Sequence, residues 1–296
     1  MSKVSVIGLG AMGLPMAKCL VKAGFEVTGF DLNANALAEL ESVGGRAAAS
    51  AAAAAQASDI LLVMVVNADQ AEAVLFADGG LNGLTQGQTV IASCTMAPDR
   101  ARAIGEKLAG YSVGLLDAPV SGGTTGAASG TLAIMAAGPQ AVFDTAKPVL
   151  EAVGGHIYHV GKEHGQGSAV KLVNQLLCGV HIAAAAEAMA LGARAGIDPN
   201  VIYEVIGNAA GSSWMFKDRV PRMLETSPEV KSAVDIFVKD LGIVLDFGHE
   251  SRFPLPLSAL AHQLFMAASG AGLGREDDSQ VRQVYDMMTG AGPKGA

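Results

Sequence analysis

Short apolar runs alternate with longer amphipathic stretches along the first half of the chain. The runs at residues 4–7, Glu26–Phe30 and 60–66 have the length of strands. The third is apolar throughout, as strands buried on both faces of a parallel sheet are. Residues 12–23 have the pattern of a helix that ends at Gly24. Strands separated by helices predict βαβ units and a doubly wound parallel sheet.

The same alternation continues as far as about residue 160. Further strands are predicted at residues 89–92, 114–116 and 132–135, and further helices from Pro98 and Pro139. An alanine-rich tract at residues 47–57 resembles low complexity. Because alanine is the best helix former and Ser50 can cap, the tract is predicted to form a short helix.

The second half has no strand pattern. Residues 168–194 contain no proline and predict one helix, about 40 Å long at about 1.5 Å per residue. Shorter helices are predicted at residues 199–208, 214–224, 233–248, 257–269 and 279–288. The chain is therefore predicted to have two domains, an α/β domain at 1–163 and an all-α domain at 164–296 that the long helix enters.

A glycine-rich turn lies between the first strand and the first helix: Gly8-Leu9-Gly10-Ala11-Met12-Gly13. In this context Gly8 permits a tight turn, Gly10 lets a pyrophosphate approach the backbone, and Gly13 lets helix and strand pack closely. The helix dipole then favours the anion. The alternative is a glycine turn that only packs. The turn predicts that the first domain is a Rossmann fold that binds a dinucleotide.

Asp31 ends the second predicted strand, where a carboxylate can bind both ribose hydroxyls. A 2′-phosphate would meet a like charge there, at a cost of about 1–4 kcal/mol at close approach. No Arg or Lys occurs at residues 32–35 to offset that charge. The sequence therefore predicts NAD rather than NADP.

Lys171 is the candidate for proton transfer, which the oxidation of an alcohol requires. It lies in the first turn of the long helix, where the positive end of the dipole disfavours an ammonium. Asn174, Gln175 and Cys178 follow on the same helix face and can orient the lysine or hold a hydroxyl. The alternative is a solvated lysine on an amphipathic helix, and spacing alone leaves both open.

A second candidate element is the segment Asp117-Ala118-Pro119-Val120-Ser121-Gly122-Gly123. It ends a predicted strand in a turn whose N–H groups and serine hydroxyl can cradle a carboxylate. The alternative is an ordinary turn from strand to loop.

Composition and charge exclude several classes of protein. The net charge of −8 argues against nucleic-acid binding. The longest clean apolar run, residues 60–66, is too short to span a membrane. Three separated cysteines, Cys19, Cys94 and Cys178, suit a reducing cytoplasm.

Three histidines, His156, His159 and His164, are close in sequence, but they have no Cys or acidic partner at metal-binding spacing. No metal site is therefore predicted.

Four separated motifs resemble those of the β-hydroxyacid dehydrogenase family, which includes 3-hydroxyisobutyrate dehydrogenase and tartronate semialdehyde reductase. The motifs are the glycine turn, the segment Asp117–Gly123, the segment Gly167-Ser168-Ala169-Val170-Lys171-Leu172-Val173-Asn174-Gln175, and Lys239-Asp240-Leu241. The resemblance covers essentially the whole chain. It implies a proton-transfer role for Lys171 and a carboxylate site at Ser121, Gly122 and Gly123.

The resemblance also implies cofactor contacts at Val66, Asn67, Thr95 and Lys239. For Lys239, a salt bridge with Asp235 or Asp240 is the alternative. The family implies a homodimer or homotetramer.

Within the family, the helical segments are similar to the L-threonate dehydrogenase branch, which implies oxidation of the 2-hydroxyl of a four-carbon sugar acid. The resemblance implies substrate contacts at Asn208, Ser212 and Trp214, beside those at Lys171 and Asn174. Asn174 departs from that branch, in which a histidine is expected, and agrees with the wider family. Tartronate semialdehyde reductase and 3-hydroxyisobutyrate dehydrogenase therefore stay as alternatives. A non-catalytic NAD-binding module is a remote one.

Overall fold

A computed structural model describes residues 2–77 and 83–289 of the chain. Contacts divide the chain into two compact units, Met1–Lys171 and Leu172–Ala296. The first unit contains a mostly parallel sheet with helices, and the second unit is helical. The predicted fold class, a Rossmann domain followed by an all-α region, is confirmed.

The sheet of the first unit is built around its first strand. Its strands are β1 Lys3–Ile7, β2 Glu26–Phe30, β3 Arg46–Ala47, β4 Ile60–Val63, β5 Thr89–Ala92, β6 Gly114–Asp117, β7 Val120–Ser121, β8 Leu132–Ala137 and β9 Gly154–Gly161. The strand order is β3-β2-β1-β4-β5-β6-β8-β7, with β9 paired to β8. Because β1 pairs with both β2 and β4, the strand order reverses at β1, and dinucleotides bind at such a point.

The far edge of this mostly parallel sheet contains antiparallel pairs that the sequence did not predict. Strand β8 runs antiparallel to β6 and β7, and it pairs in parallel with β9. The sequence pattern missed β7 because it has only two residues. It missed β9 because that strand has no buried residue among its eight, so it carries no apolar run.

Both faces of the sheet are covered by helices. The helices of this unit are α1 Gly13–Lys22, α2 Ala34–Ser42, α3 Ala51–Gln56, α4 Ala68–Glu72, α5 Pro98–Ala109, α6 Gly123–Ser129 and α7 Gln140–Val153. Alternate residues of one strand enter opposite cores: Leu62 packs in the core with α1, and Leu61 and Val63 pack in the core with α3 and α5. This burial on both faces explains why β4 is apolar throughout.

Local turn chemistry sets the ends of two predicted helices. Gly24 follows α1 at φ +90°, a backbone conformation that favours glycine. The hydroxyl of Ser50 accepts a hydrogen bond from the N–H of Ala53 at 3.1 Å and caps α3. The alanine-rich tract is thus an ordered helix, as predicted.

The second unit packs its helices around one apolar core that includes Ile182, Phe237 and Phe265. Its helices are α8 Gln166–Arg194, which begins in the first unit, α9 Pro199–Gly207, α10 Trp214–Met223, α11 Val234–Glu250, α12 Pro256–Ala268 and α13 Gln283–Thr289. The final predicted helix is in part a 3-10 turn, Asp278–Arg282, which precedes α13. The side chain of Asp277 accepts from the N–H of Ser279 and begins that turn.

Helix α8 is long and apolar enough to cross a membrane, with a mean hydropathy of 1.6 over its best window. This helix is not an uninterrupted apolar run, because it includes Lys171, Gln175 and Glu187. Length and composition are weak evidence, since core helices of soluble proteins meet the same criterion.

Buried ion pairs join α10 to the turn before α13. The guanidinium of Arg219 donates to both carboxylate oxygens of Asp278, at 2.8 and 2.9 Å. Arg222 donates to Asp277 at 3.0 Å. Both aspartates are fully buried. Burial raises the pKa of Asp278, which Arg219 partly opposes.

Candidate active site

The three glycines of the turn after β1 have different surroundings. Gly8 has φ +89°, and a Cβ there would lie 2.4 Å from the carbonyl oxygen of Met64. A Cβ on Gly13 would lie 1.8 Å from the carbonyl oxygen of Gly8. Around Gly10 a Cβ would meet nothing within 4 Å. Packing therefore requires glycine at two positions, and the space at the third suits a pyrophosphate that approaches the backbone.

The N-terminus of α1 presents its N–H groups without a side-chain cap. Uncapped N–H groups at a helix N-terminus bind anions. An open cavity of about 360 Å³ borders the turn, with Gly10, Ala11 and Asn33 among its lining residues. Together with the space at Gly10, these features fit a dinucleotide.

Asp31 joins the turn to the end of β2. Its Oδ2 accepts a hydrogen bond from the N–H of Leu9 at 2.6 Å, and its Oδ1 accepts from the N–H of Asn33 at 2.8 Å. Each carboxylate oxygen can accept more than one hydrogen bond, so ribose hydroxyls can still donate to it. The aspartate thus shapes the glycine turn in addition to the ribose role that the sequence predicts.

The implied cofactor residues after β4 and β5 have local roles as well. Val66 is exposed, and its N–H donates to the side chain of Gln70 at 2.9 Å. Asn67 caps α4, because its Oδ1 accepts from the N–H of Gln70 at 2.9 Å. Thr95 is half-buried beyond the end of β5. Strand β4 pairs with β1, where the strand order reverses, and β5 pairs with β4, so these residues lie near the place where the resemblance implies the cofactor.

Lys171 is buried, with 7% of its surface exposed. Its Nζ donates to the carbonyl oxygen of Val120 at 2.7 Å. The alternative of a solvated lysine is therefore wrong. Because Ser121, Gly122 and Gly123 directly follow Val120, the structure brings the predicted proton-transfer residue to the start of the predicted carboxylate turn.

In the turn Ser121–Gly123, both glycines have positive φ angles, which favour glycine. Gly122 has φ +133° and Gly123 has φ +62°. Helix α6 begins at Gly123, and no side chain caps it. The first N–H groups of α6 thus have no side-chain acceptor, as the predicted carboxylate turn requires.

Asp117 is a site residue to which the sequence analysis gave no role. This fully buried carboxylate accepts hydrogen bonds from the N–H groups of Gly165 and Ser168, both at 2.9 Å, and from the hydroxyl of Ser168 at 2.7 Å. Burial raises the pKa of Asp117, and the hydrogen bonds from Ser168 and Gly165 partly oppose this. The bonds fix the start of α8 about one turn before Lys171. A carboxylate at the end of a buried strand was the available signal.

Gly167 explains how the start of α8 comes so close to the sheet. A Cβ there would lie 2.4 Å from the carbonyl oxygen of Met135 and 2.5 Å from that of Asp117. The first turn of the helix therefore packs directly on the ends of β6 and β8.

The side chains that follow Lys171 form a hydrogen-bonded chain within the second unit. The Nδ2 of Asn174 donates to Oε1 of Gln175 at 2.9 Å and to Sγ of Cys178 at 3.4 Å. The Nε2 of Gln175 donates to Oδ2 of Asp240 at 2.5 Å. The Nζ of Lys239 donates to Oδ1 of Asp240 at 2.5 Å. The alternative considered for Lys239, a salt bridge with Asp240, is thus present.

The three implied substrate residues of the second unit lie near the start of α10. The amide of Asn208 donates to the carbonyl of Glu204 at 3.0 Å. The hydroxyl of Ser212 is buried and has no hydrogen-bond partner among the described residues. Trp214 is 60% exposed and begins α10. The Ser212 hydroxyl is therefore a buried group whose hydrogen-bonding capacity is unused among the described residues.

The histidines after α7 hold the backbone of the first unit. The Nε2 of His159 pairs with the carbonyl of Gly138 at 2.9 Å, and that of His164 with Leu115 at 3.0 Å. In residues 2–77 and 83–289 no cluster of His, Cys, Asp and Glu could hold a metal ion.

Two family models match the chain. The NAD binding domain of 6-phosphogluconate dehydrogenase matches residues 3–161. The model described as NAD-binding of NADP-dependent 3-hydroxyisobutyrate dehydrogenase matches residues 165–285. These matches and the site define an NAD-binding oxidoreductase.

Relatives that match nearly the whole chain show which family of NAD-binding oxidoreductases it belongs to. L-threonate dehydrogenase of Cupriavidus necator is 52% identical over 95% of both chains. L-threonate dehydrogenase of Escherichia coli K12 is 48% identical over 98% of this chain and 97% of its own. The crystal structure of 3-hydroxyisobutyrate dehydrogenase from Salmonella typhimurium is 46% identical, has a TM-score of 0.91, and covers 96% of this chain and all of its own. The chain belongs to the β-hydroxyacid dehydrogenase family, whose members are soluble enzymes acting on small hydroxy acids.

Proposed function

We propose that this enzyme oxidises L-threonate at its 2-hydroxyl to the 2-oxo acid (2-dehydro-L-erythronate), with NAD+ as cofactor. The observation that carries the reaction is the buried amine of Lys171 on the carbonyl of Val120, directly before the Ser121–Gly123 turn. The substrate is supported by five L-threonate dehydrogenases that are 45–52% identical to this chain.

In this mechanism the substrate carboxylate binds the N–H groups and hydroxyl of Ser121, Gly122 and Gly123. Lys171 is neutral when the substrate binds, and its amine accepts the proton of the 2-hydroxyl. The O–H bond breaks and an N–H bond forms, so the lysine ends as an ammonium. NAD+, when bound, supplies the acceptor for the hydride that leaves the carbon bearing this hydroxyl. Asn174 and Gln175 hold the lysine or the reacting oxygen.

The cofactor site in this proposal uses residues from several elements. The backbone of Gly8-Leu9-Gly10-Ala11-Met12-Gly13 binds the pyrophosphate, and Asp31 binds the ribose. Val66, Asn67 and Thr95 lie along the cofactor, and Lys239 contributes a cation from the helical domain. The open space at Gly10 and the uncapped N-terminus of α1 support this assignment.

Selectivity for a sugar acid is assigned to Asn208, Ser212 and Trp214. A site that hydrogen-bonds substrate hydroxyls rejects analogues that lack them, because its buried polar groups are then left unpaired. The orphan hydroxyl of Ser212 supports this role.

The two predicted domains divide these tasks in our proposal. Residues 1–163 bind most of the NAD and the substrate carboxylate, and residues 164–296 supply Lys171, Lys239 and the other substrate contacts and mediate dimerisation. We infer a cytoplasmic homodimer or homotetramer. The separated cysteines Cys19, Cys94 and Cys178 suit a reducing cytoplasm.

The test is a panel of C3 and C4 hydroxy acids, assayed with NAD+ and NADP+ separately. We expect the highest kcat/KM with L-threonate and NAD+. A preference for glycerate or 3-hydroxyisobutyrate would instead favour the tartronate semialdehyde reductase or 3-hydroxyisobutyrate dehydrogenase alternative. No turnover of any of them would favour the non-catalytic module.

Lys171→Ala tests the mechanism. We expect NADH to bind nearly as in the native enzyme and kcat to fall by about 10²–10⁴-fold, the range for loss of an acid–base group. Full turnover by this variant would refute the role of Lys171.

A further inference from the structure

Gln70 connects helix α4 to the loop that precedes it, and nothing so far gives this residue a role. The N–H of Val66 donates to Oε1 of Gln70 at 2.9 Å, and the N–H of Gln70 donates to Oδ1 of Asn67 at 2.9 Å. In a capping box, the side chain of the third helical residue accepts from the N–H of the N-cap residue. Here it accepts from the N–H one residue earlier, so the contact holds the loop itself.

The loop follows a segment that packs on the glycine turn. A Cβ on Gly8 would lie 2.4 Å from the carbonyl oxygen of Met64 and 3.2 Å from Cγ1 of Val65. Strand β4 also pairs with β1 up to the residue before the turn. Val66 and Asn67 are the next two residues, so these contacts set the position of the loop beside the proposed pyrophosphate site.

Helix α4 gives Gln70 a fixed position. Ala71 of α4 is fully buried in the core that also contains residues of α3 and α5. The guanidinium of Arg100 on α5 donates to Asp69 and to Glu72, both at 2.7 Å. Apolar packing and two ion pairs thus hold α4, and Gln70 extends this order to the loop.

Backbone donors determine how the two amides are turned. A backbone N–H can only donate, so Asn67 must direct its carbonyl oxygen toward the N–H of Gln70, and Gln70 must direct its own toward Val66. The NH2 group of Asn67 is then at the other end of its amide. Within residues 2–77 and 83–289 this NH2 has no hydrogen-bond partner. The loop therefore offers a hydrogen-bond donor.

Two chemical groups of the loop are thus available to a ligand. The side chain of Val66 is apolar and 51% exposed. An apolar side chain can pack on the face of a planar ring, and the NH2 of Asn67 can donate to an oxygen. A nucleoside has both features, a planar base and the oxygens of its ribose and phosphate. The chemistry of the loop therefore fits one half of a dinucleotide.

We propose that Gln70 is a positioning residue for the cofactor, which holds the loop Val66–Asn67 and turns the NH2 of Asn67 toward an oxygen of NAD. The proposal rests on the proposed function, in which Val66 and Asn67 lie along the cofactor. A loop that is ordered before binding avoids the cost of ordering it in the complex. Gln70 thus acts on cofactor affinity without contacting the cofactor.

Gln70→Met tests this role, because it removes the acceptor and keeps a side chain of similar length. We expect the Kd of NADH to rise about threefold to tenfold, the range for loss of one hydrogen bond. The KM for NAD+ should rise in parallel, and kcat should stay within about twofold of native because the reacting groups are unchanged. Gln70→Glu keeps an acceptor oxygen and is typical of capping boxes, so it should bind NADH at least about twofold more tightly than Gln70→Met.

Ser50→Ala is the matched control. It removes one helix cap of the same unit, at the start of α3, where the hydroxyl accepts from the N–H of Ala53 at 3.1 Å. The melting temperature should fall, as for loss of any helix cap. The Kd of NADH should stay within about twofold of native. This control separates a general loss of stability from loss of order in the loop.

Asn67→Asp tests the donor. An aspartate caps a helix as well as an asparagine does, and its carboxylate can accept from the N–H of Gln70. It has no NH2 to donate, and it places a negative charge opposite the cofactor oxygen. We expect a nearly native melting temperature and a Kd of NADH that is about tenfold higher or more. A residue that served only as a cap would leave the Kd unchanged.

Three results would overturn the proposal. They are a rise in Kd below about threefold in Gln70→Met, the same Kd in Gln70→Met and Gln70→Glu, and a native Kd in Asn67→Asp. NADH is titrated by its fluorescence without a substrate, so these results do not depend on which hydroxy acid the enzyme oxidises. Failure of the proposed function is distinguishable, because the native enzyme would then bind NADH and turn over no hydroxy acid of the panel.

Discussion

Removal of the Asp117 carboxylate should both destabilise the first unit and slow the reaction. In Asp117→Ala the N–H groups of Gly165 and Ser168 and the hydroxyl of Ser168 lose their acceptor in a buried site. A buried donor left unpaired costs about 1–3 kcal/mol, so three of them predict a loss of about 3 kcal/mol or more. For a unit of this size, that loss corresponds to a melting temperature about 6–12 °C lower.

The same substitution should lower kcat, because these bonds fix the start of α8 and hence the place of Lys171. Misplacement of a reacting group by about 1 Å can cost about 10²-fold in rate. We expect a fall of that order in kcat for Asp117→Ala, with NADH affinity within about threefold of native. The exposed Asp144, which accepts a hydrogen bond from Gln140, provides the control as Asp144→Ala.

Asp117→Asn separates geometry from charge. Its amide oxygen can accept from both N–H groups, and its NH2 can donate to the rotated hydroxyl of Ser168. Stability at neutral pH should therefore stay within about 1 kcal/mol of native.

The pH dependence follows from the raised pKa of Asp117, whose ordinary value is 3.8. The folded state holds this proton more tightly than the unfolded chain, so its stabilising contribution is present below 3.8 and is lost as pH rises through the folded-state pKa. Asp117→Asn cannot ionise and should gain stability relative to native over that range. Thermal melts at several pH values and steady-state kcat measure these effects. A native melting temperature and kcat in Asp117→Ala would refute the reasoning.

Three further predictions test the glycine turn, the cofactor and the helical core. Gly10→Ala should fold normally and bind NADH at least about tenfold more weakly, because its Cβ enters the space of the pyrophosphate. Gly13→Ala should weaken NADH binding and also lower the melting temperature, because its Cβ would meet the carbonyl oxygen of Gly8. Equal melting temperatures for the two variants would contradict this prediction. Asp31→Asn should raise the ratio of NADP+ to NAD+ kcat/KM by about tenfold or more, because the like charge is removed; an unchanged ratio would count against it. Arg219→Ala should destabilise the helical unit by about 3–5 kcal/mol in chemical denaturation, because the buried carboxylate of Asp278 loses both of its hydrogen bonds from the guanidinium. A shift below about 1 kcal/mol would contradict the pairing.

The spacing of apolar residues and the positions of turn-forming residues were sufficient to predict most elements of the fold. The apolar runs at Glu26–Phe30 and Thr89–Ala92 agree with the observed strands residue for residue. The far edge of the sheet was not predictable in this way, because β9 has no buried residue and β7 has only two residues. Edge strands of this kind depend on their neighbours rather than on their own hydrophobicity.

In the candidate site, too, some residues were predictable from the sequence and others were not. A glycine turn, an aspartate at a strand end and a lysine in a first helical turn are local patterns, so the sequence indicated them. The contacts of Asp117 with Ser168 and of Gln175 with Asp240 join residues 51 and 65 positions apart. Spacing along one helix or strand carries no information about such pairs, and their roles required the fold.

The buried ion pairs of the second unit also bear on how the chain folds during its synthesis. Arg219 and Arg222 on α10 require Asp278 and Asp277, and Val281 and Val284 complete the same core. The helical unit therefore cannot close until residues up to about 284 have left the ribosome, whereas every strand of the sheet has been made by residue 161. N-terminal domains generally fold first during translation. A nascent chain that stalls before residue 277 should thus carry a folded sheet and lack the two buried aspartates that Arg219 and Arg222 bind in the native helical unit.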